Sequence, residues 1–320
     1  MPGIAACQEI PHRCVSPVSI LGGRMADAAY IAETGRALRN RIRDTTRDML
    51  RGLVPRGSAI QLAQTDAPVD DAHFAAALCR NCGIERHTPH CGACGQKAVA
   101  RFSLQDVGSE AWQSWRLFEL SLLHAALRLA RAPGLVAREY VLGARKRHVH
   151  PLKLLLFAVA ALVVLLDRTG YLTAGQTQLS VQMQLVADWA RWSFSVGLFA
   201  VLVATRAVLR RRLDYNIVEH LVLALYVQFV VIAANVLNLL PLLVLDAARW
   251  AAAWRQASAY YMTPLELAIV GIACAQFFRL DWRRDGLRIA AVLVVFFLAK
   301  KALLFGYGRV IQQVVLAHAG

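Results

Sequence analysis

Four cysteines carry the clearest chemistry in this chain: Cys79-x2-Cys82-x8-Cys91-x2-Cys94. Each CxxC sets two thiolates on one tight turn, and two such turns complete a tetrahedron around zinc. Gly83 and Gly95 follow the second cysteine of each pair. Glycine there lets the backbone turn and aim its amides at sulfur. The eight-residue spacer is short, so the expected ribbon is minimal. A redox CxxC and two disulfides are the competing readings. A cytoplasmic position disfavours disulfides, and two matched glycine-flanked pairs disfavour a lone redox site. Four thiolates leave no open coordination position, so the zinc is expected to be structural rather than catalytic. His87 and His90 stand close enough in sequence to serve as substitute ligands. Cys7, Cys14 and Cys274 lack partner spacing.

A second set of chemical groups lies inside apolar stretches: Arg206, Asn216, Glu219, His220, Glu266, Lys300 and Lys301. Charges at membrane depth are costly and invite a functional hypothesis. The plainer expectation is that they snorkel or pair near helix ends. Arg206 and Glu219 flank a short turn centred on Leu213 and Asp214, which predicts an Arg206–Glu219 ion pair just inside the hydrocarbon edge. His220 points about 100° away from Glu219 around the helix. It is therefore free for another role and is the better functional candidate of the two.

The elements that position these groups follow from composition. Of 320 residues, 57% are hydrophobic and 18% charged, against roughly 45–50% and about 25% in soluble domains. Membrane-embedded segments explain that excess. From Leu154 onward five apolar segments appear, at about 152–166, 193–209, 217–240, 263–280 and 287–306. Residues 221–245 contain no charge, which satisfies the spanning criterion of about 18 residues. Pro241 is expected to end or kink that helix. The first run is short and needs Lys153 to snorkel, and the fifth carries the Lys300–Lys301 pair. The expected fold is an all-α membrane bundle of about five transmembrane helices, preceded by a small cytoplasmic zinc ribbon and amphipathic interfacial helices. The expected organisation is an N-terminal extension over 1–72, the ribbon over 73–100, interfacial helices over 101–150 and the transmembrane bundle over 151–320.

Net charge is +15, from 36 Lys and Arg against 21 Asp and Glu. Nucleic acid or anionic lipid headgroups would each suit that excess. Distribution favours lipid, because the basic residues cluster at the ends of apolar runs. Eleven of them (Arg145, Lys146, Arg147, Lys153, Arg210, Arg211, Arg212, Arg279, Arg283, Arg284 and Arg288) fall on one side of the predicted bundle. Only Arg168, Arg191, Arg249 and Arg255 fall on the other. Basic loops stay cytoplasmic, so the ribbon is expected inside and the C-terminus periplasmic. A helix over about 135–147 is expected to lie along the interface and hold anionic phospholipids through Arg138, Arg145, Lys146 and Arg147.

The Cys79-Arg-Asn-Cys82-Gly and Cys91-Gly-Ala-Cys94-Gly-Gln runs resemble domain-of-unknown-function family 3667, found in bacterial membrane proteins. Further along, Pro133-Gly134, Glu139-Tyr140, Gly143, Arg145-Lys146 and Pro151 carry the same resemblance. Asn216 with Glu219-His220 also looks like the family pattern, and the resemblance extends over about 79–310. His148 and His150 stand where the family often has an aromatic residue. The resemblance implies a multi-pass membrane protein with a zinc-ribbon-like head and implies no activity; the bacterial inner membrane is the expected location. HExxH, GxSxG, P-loop and dinucleotide signatures are absent. Three functions stay open: a non-enzymatic scaffold or assembly factor whose zinc head binds a cytoplasmic protein, a transporter or channel-like protein, and a membrane enzyme using Glu219 and His220. The first is favoured by elimination.

Overall fold

The computed structural model describes residues 68–69, 71–75, 77–105, 121–172, 193, 195–245 and 247–319. Among these residues no strand forms beyond two isolated bridges, Leu78 with Glu85 and His90 with Lys97. The helices are α1 (Asp71–Ala75), α2 (Ser121–Arg131), α3 (Pro133–Val141), α4 (Pro151–Thr169), α5 (Val196–Leu209), α6 (Ile217–Leu239), α7 (Ala247–Phe278) and α8 (Gly286–Ala319). Short 3-10 turns cover Arg145–Arg147 and Leu240–Leu243.

All five predicted apolar segments are helical, but their lengths differ from expectation. Four are long and apolar enough to cross a membrane: the stretches containing α4, α6, α7 and α8. α5 has 14 residues, about 21 Å at 1.5 Å per residue, against a hydrocarbon core of about 30 Å. The fourth segment is only the end of α7, a 32-residue helix that begins sixteen residues earlier and continues through Pro264. The fifth runs on to Ala319. Leu240–Leu243, with Pro241 in its first turn, ends α6 as a 3-10 turn, because proline cannot donate to a continuing helix.

α6 forms the centre of the bundle. It packs against α4, α5, α3 and α7, and 78% of its apolar stretch is buried. Only 17% of the α8 stretch is buried, leaving Val294, Phe297, Leu298 and Phe305 exposed. Exposed apolar side chains on a helix of this kind face lipid, because no water is present to penalise them.

Helix ends are capped by the residue types the motifs supply. Pro133 and Pro151 occupy the first turns of α3 and α4, where the missing N–H costs nothing. The His150 ring nitrogen Nδ1 accepts from Leu152 N at 3.3 Å. Asn216 and Glu219 build a full capping box on α6: Asn216 Oδ1 accepts Glu219 N at 2.9 Å and Glu219 Oε2 accepts Asn216 N at 2.6 Å. The turn before it places Leu213 and Asp214 in the left-handed region, at φ 59° and 50°.

The predicted interfacial helix over 135–147 is not present as such. α3 stops at Val141, and Gly143 at φ 107° turns the chain before the 3-10 turn. α3 is buried on nearly all sides. At Gly134 a Cβ would lie 2.0 Å from the Ala273 carbonyl oxygen of α7, so only glycine permits this approach. Gln276 of α7 caps α3 from outside, its Oε1 accepting from Gly134 N and Leu135 N at 3.0 and 3.4 Å.

Candidate metal centre

The two CxxC turns repeat one geometry. Gly83 N donates to Cys79 O and Gly95 N to Cys91 O, both at 2.7 Å. Both glycines have positive φ, 80° and 68°, as the sequence requires. Each turn is closed by a second backbone bond of its own, Cys79 N donating to Ile84 O and Cys91 N to Gln96 O at 2.8 and 2.9 Å.

All four sulfurs lie within 4.8 Å of one another. Cys79 Sγ to Cys94 Sγ is 3.6 Å and Cys82 Sγ to Cys91 Sγ is 3.5 Å. A zinc–sulfur bond of about 2.3 Å gives a tetrahedral edge of about 3.8 Å, while a disulfide needs about 2.05 Å. The cluster therefore has the dimensions of a metal cage, and all four cysteines are free thiols. The amides of Cys94 and Ala93 hold the Cys91 thiol down at about 6, while burial pushes Cys82 up to about 12 and raises Cys79 as well. Amides aimed at sulfur stabilise thiolate, the ligand form. Cys79 and Cys91 are buried, Cys82 and Cys94 half-buried. His87 and His90 are exposed and stand outside the cluster. Cys274 is buried in α7, and Cys7 and Cys14 lie outside the described residues.

The cysteine unit is clamped onto the bundle by residues of the resemblance. Gln96, 6% exposed, donates through Nε2 to Gly143 O at 2.7 Å and accepts Lys146 N through Oε1 at 3.0 Å. Lys146 Nζ donates to Cys94 O, and Arg145 Nη2 to Ala100 O at 2.7 Å. The Arg145 guanidinium also sits 3.7 Å over the Phe102 ring. A Cβ at Gly143 would meet Arg80 and Val99 at 3.0 Å, which explains glycine at that position. Phe102 in turn stacks on Tyr140 of α3, and Tyr140 meets Tyr226 of α6 edge-on.

This geometry corrects the predicted lipid set. Arg138 is 1% exposed and donates to Phe277 O at 2.8 Å, so it faces protein and not headgroups. Arg145 and Lys146 are engaged by the cysteine unit. Arg147 is half-buried beside Glu139. Sequence position next to an apolar run pointed outward; the packing of α3 turns Arg138 in, while Arg145 and Lys146 are drawn onto the cysteine unit with Lys146 still exposed.

The predicted Arg206–Glu219 pair is also corrected. Arg206 is exposed on α5. Glu219 pairs with Arg101 at the end of the cysteine unit, through Nε at 3.0 Å and Nη2 at 3.2 Å. Asn216 Nδ2 reaches the neighbouring residue of that segment, donating to Phe102 O at 3.0 Å. His220 is fully buried, its ring 5.3 Å from Phe278, and neither nitrogen has a hydrogen-bond partner. Glu266 of α7 and Lys300 of α8 pair with each other, and exposed Lys301 lies 5.5 Å from the Phe297 ring centre.

Packing creates a further buried polar cluster around Glu139. Glu139 Oε2 accepts from Arg128 Nη2 at 3.1 Å and bonds His148 Nε2 at 2.8 Å. Burial raises its carboxyl, but His148, Arg128 and Arg147 outweigh burial and hold it below its ordinary range. The only sequence signal was its place in the Glu139-Tyr140 motif.

No curated protein and no solved structure matches the chain. Residues 120–163, spanning α2, α3 and most of α4, match the family described as Protein of unknown function (DUF3667), so the chain carries the segment of the family it resembles, with the four cysteines outside the matched stretch.

Proposed function

We propose that this chain is a non-enzymatic scaffold or assembly factor of the bacterial inner membrane. In this reading a structural zinc ribbon, held by Cys79, Cys82, Cys91 and Cys94, presents a binding face to a cytoplasmic protein. The observation that carries it is the clamp. Gln96, Arg101, Arg145 and Lys146 hold the cysteine unit on the bundle, while Leu78 and Ile84 remain 49% and 54% exposed. A head attached on one side, with two exposed apolar side chains among polar ones, suits protein docking. Four thiolates in a cage of this size favour zinc without an open position. The eleven-to-four distribution of basic residues supports a cytoplasmic ribbon and a periplasmic C-terminus. An acid–base role for Glu219 loses support, because both its oxygens are spent on Arg101 and the α6 cap.

The test is purification of the full chain in mild detergent, with elemental analysis and identification of bound partners. One zinc per chain is expected, and Cys82→Ser with Cys94→Ser should abolish it. A stoichiometric protein partner should be present, and Leu78→Asp with Ile84→Asp should release it while leaving the zinc. A partner that survives those substitutions, or a co-purifying small molecule in place of a protein, overturns the scaffold reading. Zinc unchanged in the cysteine variant overturns the metal assignment.

A further inference from the structure

Seven arginines converge at one end of the bundle from two loops far apart in sequence. The α5–α6 loop carries Arg210, Arg211 and Arg212. The α7–α8 loop and the first turn of α8 carry Arg279, Arg283, Arg284 and Arg288. Arg212 joins the loops, donating through Nε to Phe278 O at 3.3 Å and through Nη2 to Arg279 O at 3.2 Å. The other six are exposed. Three aspartates share the two loops, Asp214, Asp281 and Asp285, leaving a net +4. Two of these acids serve the local turn: Asp281 Oδ1 accepts Arg283 N at 2.8 Å, and Asp285 accepts Asp281 N at 3.3 Å and Arg288 Nη1 at 2.7 Å.

Beside this basic face lies a cleft of about 440 Å³. Leu135, Leu280 and Trp282 form its apolar wall, and Gln276, Arg279 and Asp281 its polar side. The Trp282 ring is 57% exposed. Its tip, Cη2, lies 3.5 Å from where a Cβ on Gly271 would stand, next to Leu293. Gly271 lies seven residues before Phe278, the last residue of α7, about 10 Å along the helix axis. The indole thus reaches from the loop down along the span, with guanidinium groups above it. Tryptophan at this depth with arginine on the water side is the arrangement that meets a phospholipid, apolar tail below and phosphate above.

We propose that this cleft binds an anionic membrane lipid, its headgroup phosphate held by Arg279, Arg283 and Arg284 and an acyl chain lying on Trp282 and Leu280. A free phosphate would use the arginines and have no need of the apolar wall. The lipid-binding charge of this chain then sits on the α5–α6 and α7–α8 loops and not on the 138–147 stretch. The proposal is independent of what the cysteine unit binds.

The test uses the full chain, delipidated in detergent and titrated with phosphatidylglycerol or phosphatidylcholine, retention being counted by native mass spectrometry. Wild-type protein should retain phosphatidylglycerol in preference. Arg279→Gln, Arg283→Gln and Arg284→Gln together should lower that retention by about fivefold for each arginine removed. Trp282→Ala should weaken lipid retention, and Arg147→Gln should leave it unchanged. Should the triple variant not fold, judged by elution and metal content, Arg283→Gln with Arg284→Gln serves in its place and should lower retention in the same direction. Equal retention of both lipids by the wild type, or unchanged retention in the folded arginine variants, overturns the proposal. Inorganic phosphate displacing the lipid and binding equally well to the Trp282→Ala protein would identify a free-anion site and overturn the lipid assignment.

Discussion

At the scale of single residues, burial decides which groups matter. Glu139 is 1% exposed and is held ionised by His148, Arg128 and Arg147 against the cost of its burial. Its carboxyl therefore stands below its ordinary 4.5 in the folded protein. A depressed acid adds stability that is complete above the unfolded value and is lost as pH falls through the folded one. Thermal unfolding of the wild type should accordingly weaken below about pH 4.5 by more than that of Glu139→Gln. At neutral pH the same substitution should cost roughly 2 kcal/mol, because it leaves the half-buried guanidinium groups of Arg128 and Arg147 without their carboxylate partner. A flat difference between the two proteins across pH 3–7 would contradict this. His220 presents the opposite case. Two buried nitrogens without partners each carry an unrecovered desolvation cost, so His220→Leu should raise stability by about 1 kcal/mol. A fall in the melting temperature would show that the ring has a bound partner, and would strengthen its standing as a functional group.

At the scale of elements, the N-terminus of α6 is where the cysteine unit meets the bundle. Glu219 caps its own helix and receives Arg101 through two guanidinium nitrogens. Arg101→Glu should therefore destabilise the protein by about 2–3 kcal/mol, since it leaves an unpaired buried carboxylate. Arg206→Glu, on the exposed side of α5, should cost much less. Thermal denaturation of the two variants separates the pairings: a larger loss at Arg206 would restore the pair expected from the short turn. The expectation failed for a definable reason. Turn length places α5 beside α6, but the rotation of α5 about its own axis turns Arg206 outward, and that rotation depends on packing against α8.

For the whole molecule, the loops fall into two sets. The contact of Arg212 with the Phe278 and Arg279 carbonyls puts the α5–α6 and α7–α8 loops at one end. Arg101 and Phe102 bind residues 214–219, so the cysteine unit docks at that same end. Reporter fusions at positions 170, 213, 284 and 320 test the orientation. The expected pattern is cytoplasmic at 213 and 284 and periplasmic at 170 and 320. Positions 213 and 284 on opposite sides would contradict the fold itself. Positions 170 and 213 on the same side would mean that α5, at 14 residues, does not cross.

Much of this was legible in one dimension. Zinc-type spacing is local: CxxC and the following glycine determine each turn within five residues, so the cage at Cys79, Cys82, Cys91 and Cys94 needed no tertiary information beyond bringing two turns together. Apolar runs likewise announce helices, because a chain in lipid must satisfy its own backbone. The proline at Pro241 marked a helix end for the same local reason. Pairing was decided elsewhere. Glu219 with Arg101 spans 118 residues, Gln96 with Gly143 spans 47, and Glu266 with Lys300 spans 34. A charge shows in sequence that it needs a partner, but not which one. That choice follows from which helix faces meet, and facing is set by close approaches such as Gly134 against Ala273 that only the assembled bundle creates.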